Sequence, residues 1–300
     1  MRALSIALTG LILVSAGGVS AQTVPGQEQA LLHRLGSEVR PERMRADIET
    51  MVGFGTRHTM SETRSDTRGI GAARRWAQAE LEGVSRACNG CLTIVTPSDT
   101  VTGPRIPTPT EIVNVVAIQR GAGDPNRVII ISGHLDSRVS DVMNFTADSP
   151  GANDDASGVA AVLEAARVLS KHRFDATLVY AVLSGEEQGL LGGKIVADYA
   201  QAQGWRVEAN LNNDIVGNSE GQSGVRDTTR VRVFSEGTKT VETEAQEERR
   251  RSSWASVSTV LVPSEKTRTR VVSRTPDWPS ELPTMSLLRL ASTRQPWAWA

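Results

Sequence analysis

Apolar and polar positions along the chain fall into two regimes. Residues 41–52 read as a helix, and residues 70–82 (IGAARRWAQAELE) carry the apolar period of an amphipathic helix. Before them, residues 22–40 are polar and contain Pro25 and Gly26, a pattern expected of a flexible start. Beyond residue 90 the pattern turns β-rich, with strands expected at 92–96, 112–119 and 128–132. The cluster at 121–126 (GAGDPN) marks a turn between the last two. Downstream, 157–170 (SGVAAVLEAARVLS) predicts a helix, 177–183 (TLVYAVL) a buried strand, 189–203 a helix and 209–215 a strand. Strands alternating with helices imply an α/β fold whose largely parallel sheet is covered on both faces. In such sheets ligands gather at the carboxyl ends of the strands.

The first residues, MRALSIALTGLILVSAGGVSAQ, place Arg2 before an apolar stretch and end in the small residues Val19-Ser20-Ala21. This predicts a signal peptide over 1–21 and an exported, periplasmic or extracellular protein. The stretch is short and broken by Gly10, Gly17 and Gly18, whereas a spanning helix needs roughly 20 apolar residues. No later segment is apolar for long enough, so no membrane span is expected after cleavage. A net charge of −1 excludes any global pull toward nucleic acid or acidic membranes. The only cysteines, Cys88 and Cys91, form a CxxC without the further ligands of a structural zinc site, and in an oxidising compartment a local disulfide is expected.

Four polar constellations stand at the ends of predicted strands or in the turns that follow. The strand VIIIS runs into Gly133-His134-Leu135-Asp136-Ser137, and a carboxylate two residues from a histidine suits an imidazole ligand oriented through its second nitrogen. Residues 150–158 (PGANDDASG) form an acidic turn leading into a helix. There Asp155 or Ser157 can serve as N-cap while Asp154 projects toward a metal, its two oxygens able to bridge two ions. Glu186 and Glu187, in SGEEQG, are adjacent carboxylates that repel each other unless a cation or proton intervenes, although a solvated loop would also tolerate them. The last is Asn212-Asn213-Asp214. Each is weak alone; their joint appearance is specific.

Together HLDS (134–137), GANDDASG (151–158), SGEEQGLLG (184–192) and NNDIVG (212–217) resemble the M28 family of zinc aminopeptidases. The resemblance implies a three-layer αβα sandwich with a mostly parallel mixed central sheet, of the phosphorylase/hydrolase-like type seen in zinc exopeptidases. It also implies a site. His134 and Asp214 would hold one zinc, Glu187 would help hold a second, Asp154 would bridge them, Asp136 would orient His134, and Glu186 would be the general base. The implied activity is removal of N-terminal residues from peptides. An inactive member, a carboxypeptidase and a glutaminyl cyclase are the other readings of the same scaffold.

The family pattern also includes a late histidine completing the second zinc. The four histidines here are His33, His58, His134 and His172, so none is available at that place, and His58 lies outside the pattern. The second zinc is therefore expected to be weak. The family-like domain is assigned to residues 41–250, incomplete at its end. Residues 251–300 read as an atypical tail: their acidic residues are Glu265, Asp277 and Glu281, while Trp254, Trp278, Trp297 and Trp299 all fall there. An altered reading frame and a divergent ending both account for that shift.

Overall fold

A computed structural model describes residues 25–218, with side chains from residue 30 onward. The expected signal peptide over 1–21 and the atypical tail over 251–300 lie outside the described residues, as does the last part of the 41–250 domain. In chain order the elements are α1 (Pro25–Glu38), α2 (Pro41–Gly53), α3 (Gly69–Ala87), β1 (Leu92–Val95), β2 (Ser98–Gly103) and β3 (Ile106–Val113). They continue with β4 (Val115–Gln119), β5 (Asp124–His134), α4 (Ala156–Leu169), β6 (Ala176–Leu183), α5 (Leu191–Ala202) and β7 (Arg206–Asn212).

Five strands form one sheet in the order β1-β4-β6-β5-β7. β5 runs parallel to both β6 and β7, while β4 is antiparallel to β6 and to β1. The sheet is thus mixed, with its parallel part at the β6-β5-β7 side. Alternate residues of each strand point to opposite faces. Val115, Ala117, Ile131, Leu178, Tyr180 and Val182 share one apolar cluster with the buried residues of α3 and α4. Val116, Val128, Ile130, Val179, Ala181 and Leu183 share the other with Val196 of α5. Helices on both faces make the three-layer αβα arrangement. β6 is buried at every position, which is why its sequence is an unbroken apolar run rather than an alternation.

Three expectations are corrected. The segment 22–40 is no loose leader: α1 occupies most of it, and Leu35 and Val39 are buried with Val168 of α4, with Leu31 against them. The apolar residues 31 and 35 are one helical repeat apart, enough to bind an otherwise polar helix once α4 is there. The strand expected over 112–119 is two strands, broken at Asn114. This buried side chain donates to Gly192 O at 2.9 Å and accepts from Ser184 N at 2.9 Å, tying the break to the end of β6 and the start of α5. The first of the two, β3, pairs with β2 as a separate antiparallel hairpin that the proline-containing segment 104–109 gave no reason to expect. The strand expected over 209–215 starts and ends earlier, as β7, leaving residues 213–217 free to turn back toward the acidic loop.

All three parallel strands end at one edge, where His134 lies opposite Leu183 and Ser132 opposite Asn212. The N-terminus of α4 packs tightly there. A Cβ on Gly133 would meet the backbone of Gly158 at 2.7 Å, and one on Gly158 would meet Asn213 O at 2.1 Å. Only glycine at both places lets β5, α4 and the turn after β7 approach so closely.

Candidate metal centre

His134 is the last residue of β5 and is buried. Its Nδ1 donates to the carbonyl of Asp136 at 3.0 Å, which leaves Nε2 directed outward. Around Nε2 stand Asp154 Oδ1 at 3.1 Å, Asp214 Oδ1 at 3.9 Å and Glu186 Oε2 at 3.9 Å. One ligand atom each from His134, Asp154 and Asp214 falls within a 4.8 Å span. Imidazole plus two carboxylates is a donor set suited to zinc.

The acidic loop is fixed from two sides. Asp155 is the N-cap of α4, accepting from Gly158 N at 2.8 Å, and its other oxygen accepts from His134 N at 3.0 Å. It also receives Ile215 N at 3.3 Å, while Ser157 Oγ receives Val216 N at 3.1 Å and Asn153 Oδ1 receives Gly217 N at 3.0 Å. The turn carrying Asp214 is therefore clamped onto the loop carrying Asp154, so two distant stretches of sequence present their carboxylates as a unit.

Asp136 acts differently from the expectation. Its carboxylate lies 3.7 Å from His134 Nδ1, beyond hydrogen-bond reach, and it is the backbone carbonyl that orients the ring. The carboxylate instead accepts from Thr59 Oγ1 at 2.9 Å and from the amides of Glu186 and Glu187 at 3.2 and 3.1 Å. Asp136 thereby shapes the turn after β6 from which both glutamates project. Glu187 is not one of the three groups whose ligand atoms fall within that span, and its Oε2 pairs with Arg138 Nε at 2.6 Å. His58 stays outside the ligand group: its Nδ1 accepts from Met60 N, and its Nε2 lies 3.0 Å from Val142 O. Cys88 and Cys91 are disulfide-bonded at the end of α3, as expected.

Crowded carboxylates set the electrostatics. Burial, reinforced by Asp136, Glu187 and Asp214, raises the pKa of Glu186 to about 8, against the opposing effect of His134. Burial likewise raises Asp155 to about 8 and moves Glu187 upward. Burial alone would lower the pKa of His134, but Asp136, Asp154 and Asp214 outweigh it and raise the pKa well above the ordinary imidazole value. Glu186 Oε1 is buried without a partner. An orphaned carboxylate oxygen beside two further carboxylates and an imidazole calls for a cation or a proton, and the residues present fit a bound metal.

Arg57, which the sequence did not single out, is fully buried behind this group. Its guanidinium donates to Leu135 O, Met51 O, Pro150 O and Gly151 O at 2.7, 3.1, 2.6 and 3.0 Å. It holds the end of β5 against the start of the acidic loop. Burial lowers its pKa to about 10, partly offset by Asp136, Asp155 and Asp154, so it stays charged near neutral pH. Arg57→Met strands those four carbonyls and removes a buried charge from beside the carboxylates. A loss of about 3–5 kcal/mol is expected in urea unfolding, and a loss under about 1 kcal/mol would contradict this account.

The profile of peptidase family M28 matches residues 114–266, a span containing His134, Asp154, Glu186, Glu187 and Asp214. A protein of Pyricularia oryzae named "Probable zinc metalloprotease" is 47% identical over 220 residues, covering 73% of this chain and 43% of that relative. A namesake from Pyrenophora teres f. teres is 44% identical over 220 residues, covering 73% of this chain and 46% of its own length. The chain thus spans less than half the length of these relatives. Among solved structures, LapB from Legionella pneumophila is similar at 19% identity and a TM-score of 0.49, over 63% of this chain and 47% of that one. Porphyromonas gingivalis glutaminyl cyclase is similar at 20% identity and a TM-score of 0.48, over 59% of this chain and 62% of that one. Likeness at that level says nothing of activity. The sequence match extends over more than half of the chain and includes every acidic and imidazole group gathered at the sheet edge: the chain belongs to peptidase family M28.

Proposed function

We propose that this chain is a zinc-dependent aminopeptidase of an exported protein, with Glu186 as general base. The observation that carries the reading is the placement of Glu186. Its buried, unpartnered carboxylate faces the point shared by His134, Asp154 and Asp214, with Oε2 at 3.9 Å from His134 Nε2. His134, Asp154 and Asp214 would hold the zinc, which supplies a Lewis acid for the scissile carbonyl and lowers the pKa of water. Glu186 takes the proton of the attacking water and returns it to the departing amine. Asp136 keeps that carboxylate aimed through the two amides it holds. Asp154 and Asp214 are 47% and 26% exposed, so negative charge faces the solvent side of the group, where it favours a protonated N-terminus. The Cys88–Cys91 disulfide supports an oxidising compartment, periplasmic or extracellular.

The test uses the full chain with added zinc on leucyl-p-nitroanilide and its N-acetyl derivative. Cleavage restricted to the free amine is expected. Release of C-terminal residues from N-blocked peptides would replace this reading with a carboxypeptidase, and pyroglutamate formation from glutaminyl peptides with a glutaminyl cyclase. No turnover of any of these would mark the chain as non-catalytic.

A further inference from the structure

Glu187 already has a cation. Arg138 Nε donates to its Oε2 at 2.6 Å, and Arg138 Nη1 reaches Val139 O at 3.3 Å. Arg105, in the turn between β2 and β3, donates to the Glu187 carbonyl at 3.1 Å and holds the same residue from its backbone. The Glu187 side chain is 9% exposed and that of Arg138 32%, so the pair sits at the boundary of the site with its acidic member inside. A charge-assisted bond to a largely buried carboxylate is among the stronger polar contacts a protein makes.

Imidazole is scarce around it. Of the described histidines, His134 alone is at the metal group; His58 is committed to Met60 N and Val142 O, and His172 lies beside Glu38 at 3.7 Å. An ion additional to the one at His134, Asp154 and Asp214 would have, among the described residues at this edge, the second oxygen of Asp154 and the carboxylate of Glu187. Zinc normally takes three or four protein ligands. That ion would also be set against a guanidinium that cannot lose its charge.

We infer that Arg138 is the built-in counter-charge of Glu187 and restricts this site to one tightly held metal ion. The guanidinium supplies the positive charge next to Glu187 that a second ion would otherwise bring, and it occupies one of the two carboxylate oxygens. The inference rests on the reading of His134, Asp154 and Asp214 as the metal group.

The experiment is calorimetric titration of the metal-stripped full chain with Zn2+, with metal content measured after desalting. Wild type is expected to retain one ion per chain. Arg138→Gln is expected to bind a second ion at least about tenfold more tightly than wild type, with the affinity for the first ion unchanged as the control for folding. Arg138→Lys keeps the charge and is expected to remain at one. Two tight ions in the wild type, or a second ion no tighter in Arg138→Gln, overturns the inference while leaving the metal group standing. Absence of any tight ion in the wild type overturns the metal reading itself and the inference with it.

Discussion

Glu186→Gln is expected to lower kcat/KM by about 10²–10⁴-fold, the range ascribed to a positioned general base, while zinc remains bound. The amide keeps the size and shape of the side chain but cannot accept the water's proton. His134, Asp154 and Asp214 are left intact, so metal content after desalting should match the wild type. The separation is what makes the test sharp: loss of both zinc and turnover would make Glu186 a ligand, and retention of both would remove it from the mechanism. Because the amide does not ionise, the variant should also abolish any dependence of the residual rate on protonation of this side chain.

The second large effect joins zinc, protons and stability. His134, raised well above its ordinary value, contributes stability to the metal-free protein that is complete below the unfolded pKa and is lost as pH rises through the folded one. Asp155 and Glu186 act in the same direction. Burial raises each to about 8, above the ordinary carboxylate range, so between that range and pH 8 the folded state holds protons that the unfolded chain releases. Metal-free stability is therefore expected to fall from pH 5 to pH 8. Zinc reverses the balance, because ligation through Nε2 requires a neutral imidazole and the cation favours ionised carboxylates. Zinc affinity should rise by about tenfold per pH unit for each proton released, and saturation at 100 times Kd adds about 2.7 kcal/mol. Thermal unfolding with chelator and with zinc, from pH 5 to 8, should show two curves that diverge as pH rises. Parallel curves would refute the proton coupling, and His134→Ala should collapse them onto one.

Much of the fold was readable because its signals are local. The unbroken run at 177–183 could only be a strand covered on both faces, and α3 and α4 announced themselves by apolar spacing. The ends of β5 and β6 could be placed because an apolar run gives way to Gly133 and Ser184-Gly185. The β2–β3 hairpin was hidden because Pro104, Pro107 and Pro109 suppress a strand reading, and a two-stranded ribbon outside the main sheet tolerates them. α1 was hidden because its apolar face is narrow and acquires meaning only against Val168 of α4.

The candidate site divides in the same way. Sequence alone singles out the side chains proposed to carry the chemistry: motif and strand end point to His134, Asp154, Glu186, Glu187 and Asp214, with Asp155 or Ser157 as a cap. Tertiary structure decided how they are used. It gave the orientation of the His134 ring to a backbone carbonyl, the carboxylate of Asp136 to the turn bearing both glutamates, and Glu187 to Arg138. It also brought in Arg57, whose four carbonyl partners lie between 6 and 94 residues away in sequence. A motif records which groups are present near a strand end, whereas hydrogen bonds and ion pairs depend on distances that exist only once β5, α4 and β7 have met at one edge of the sheet.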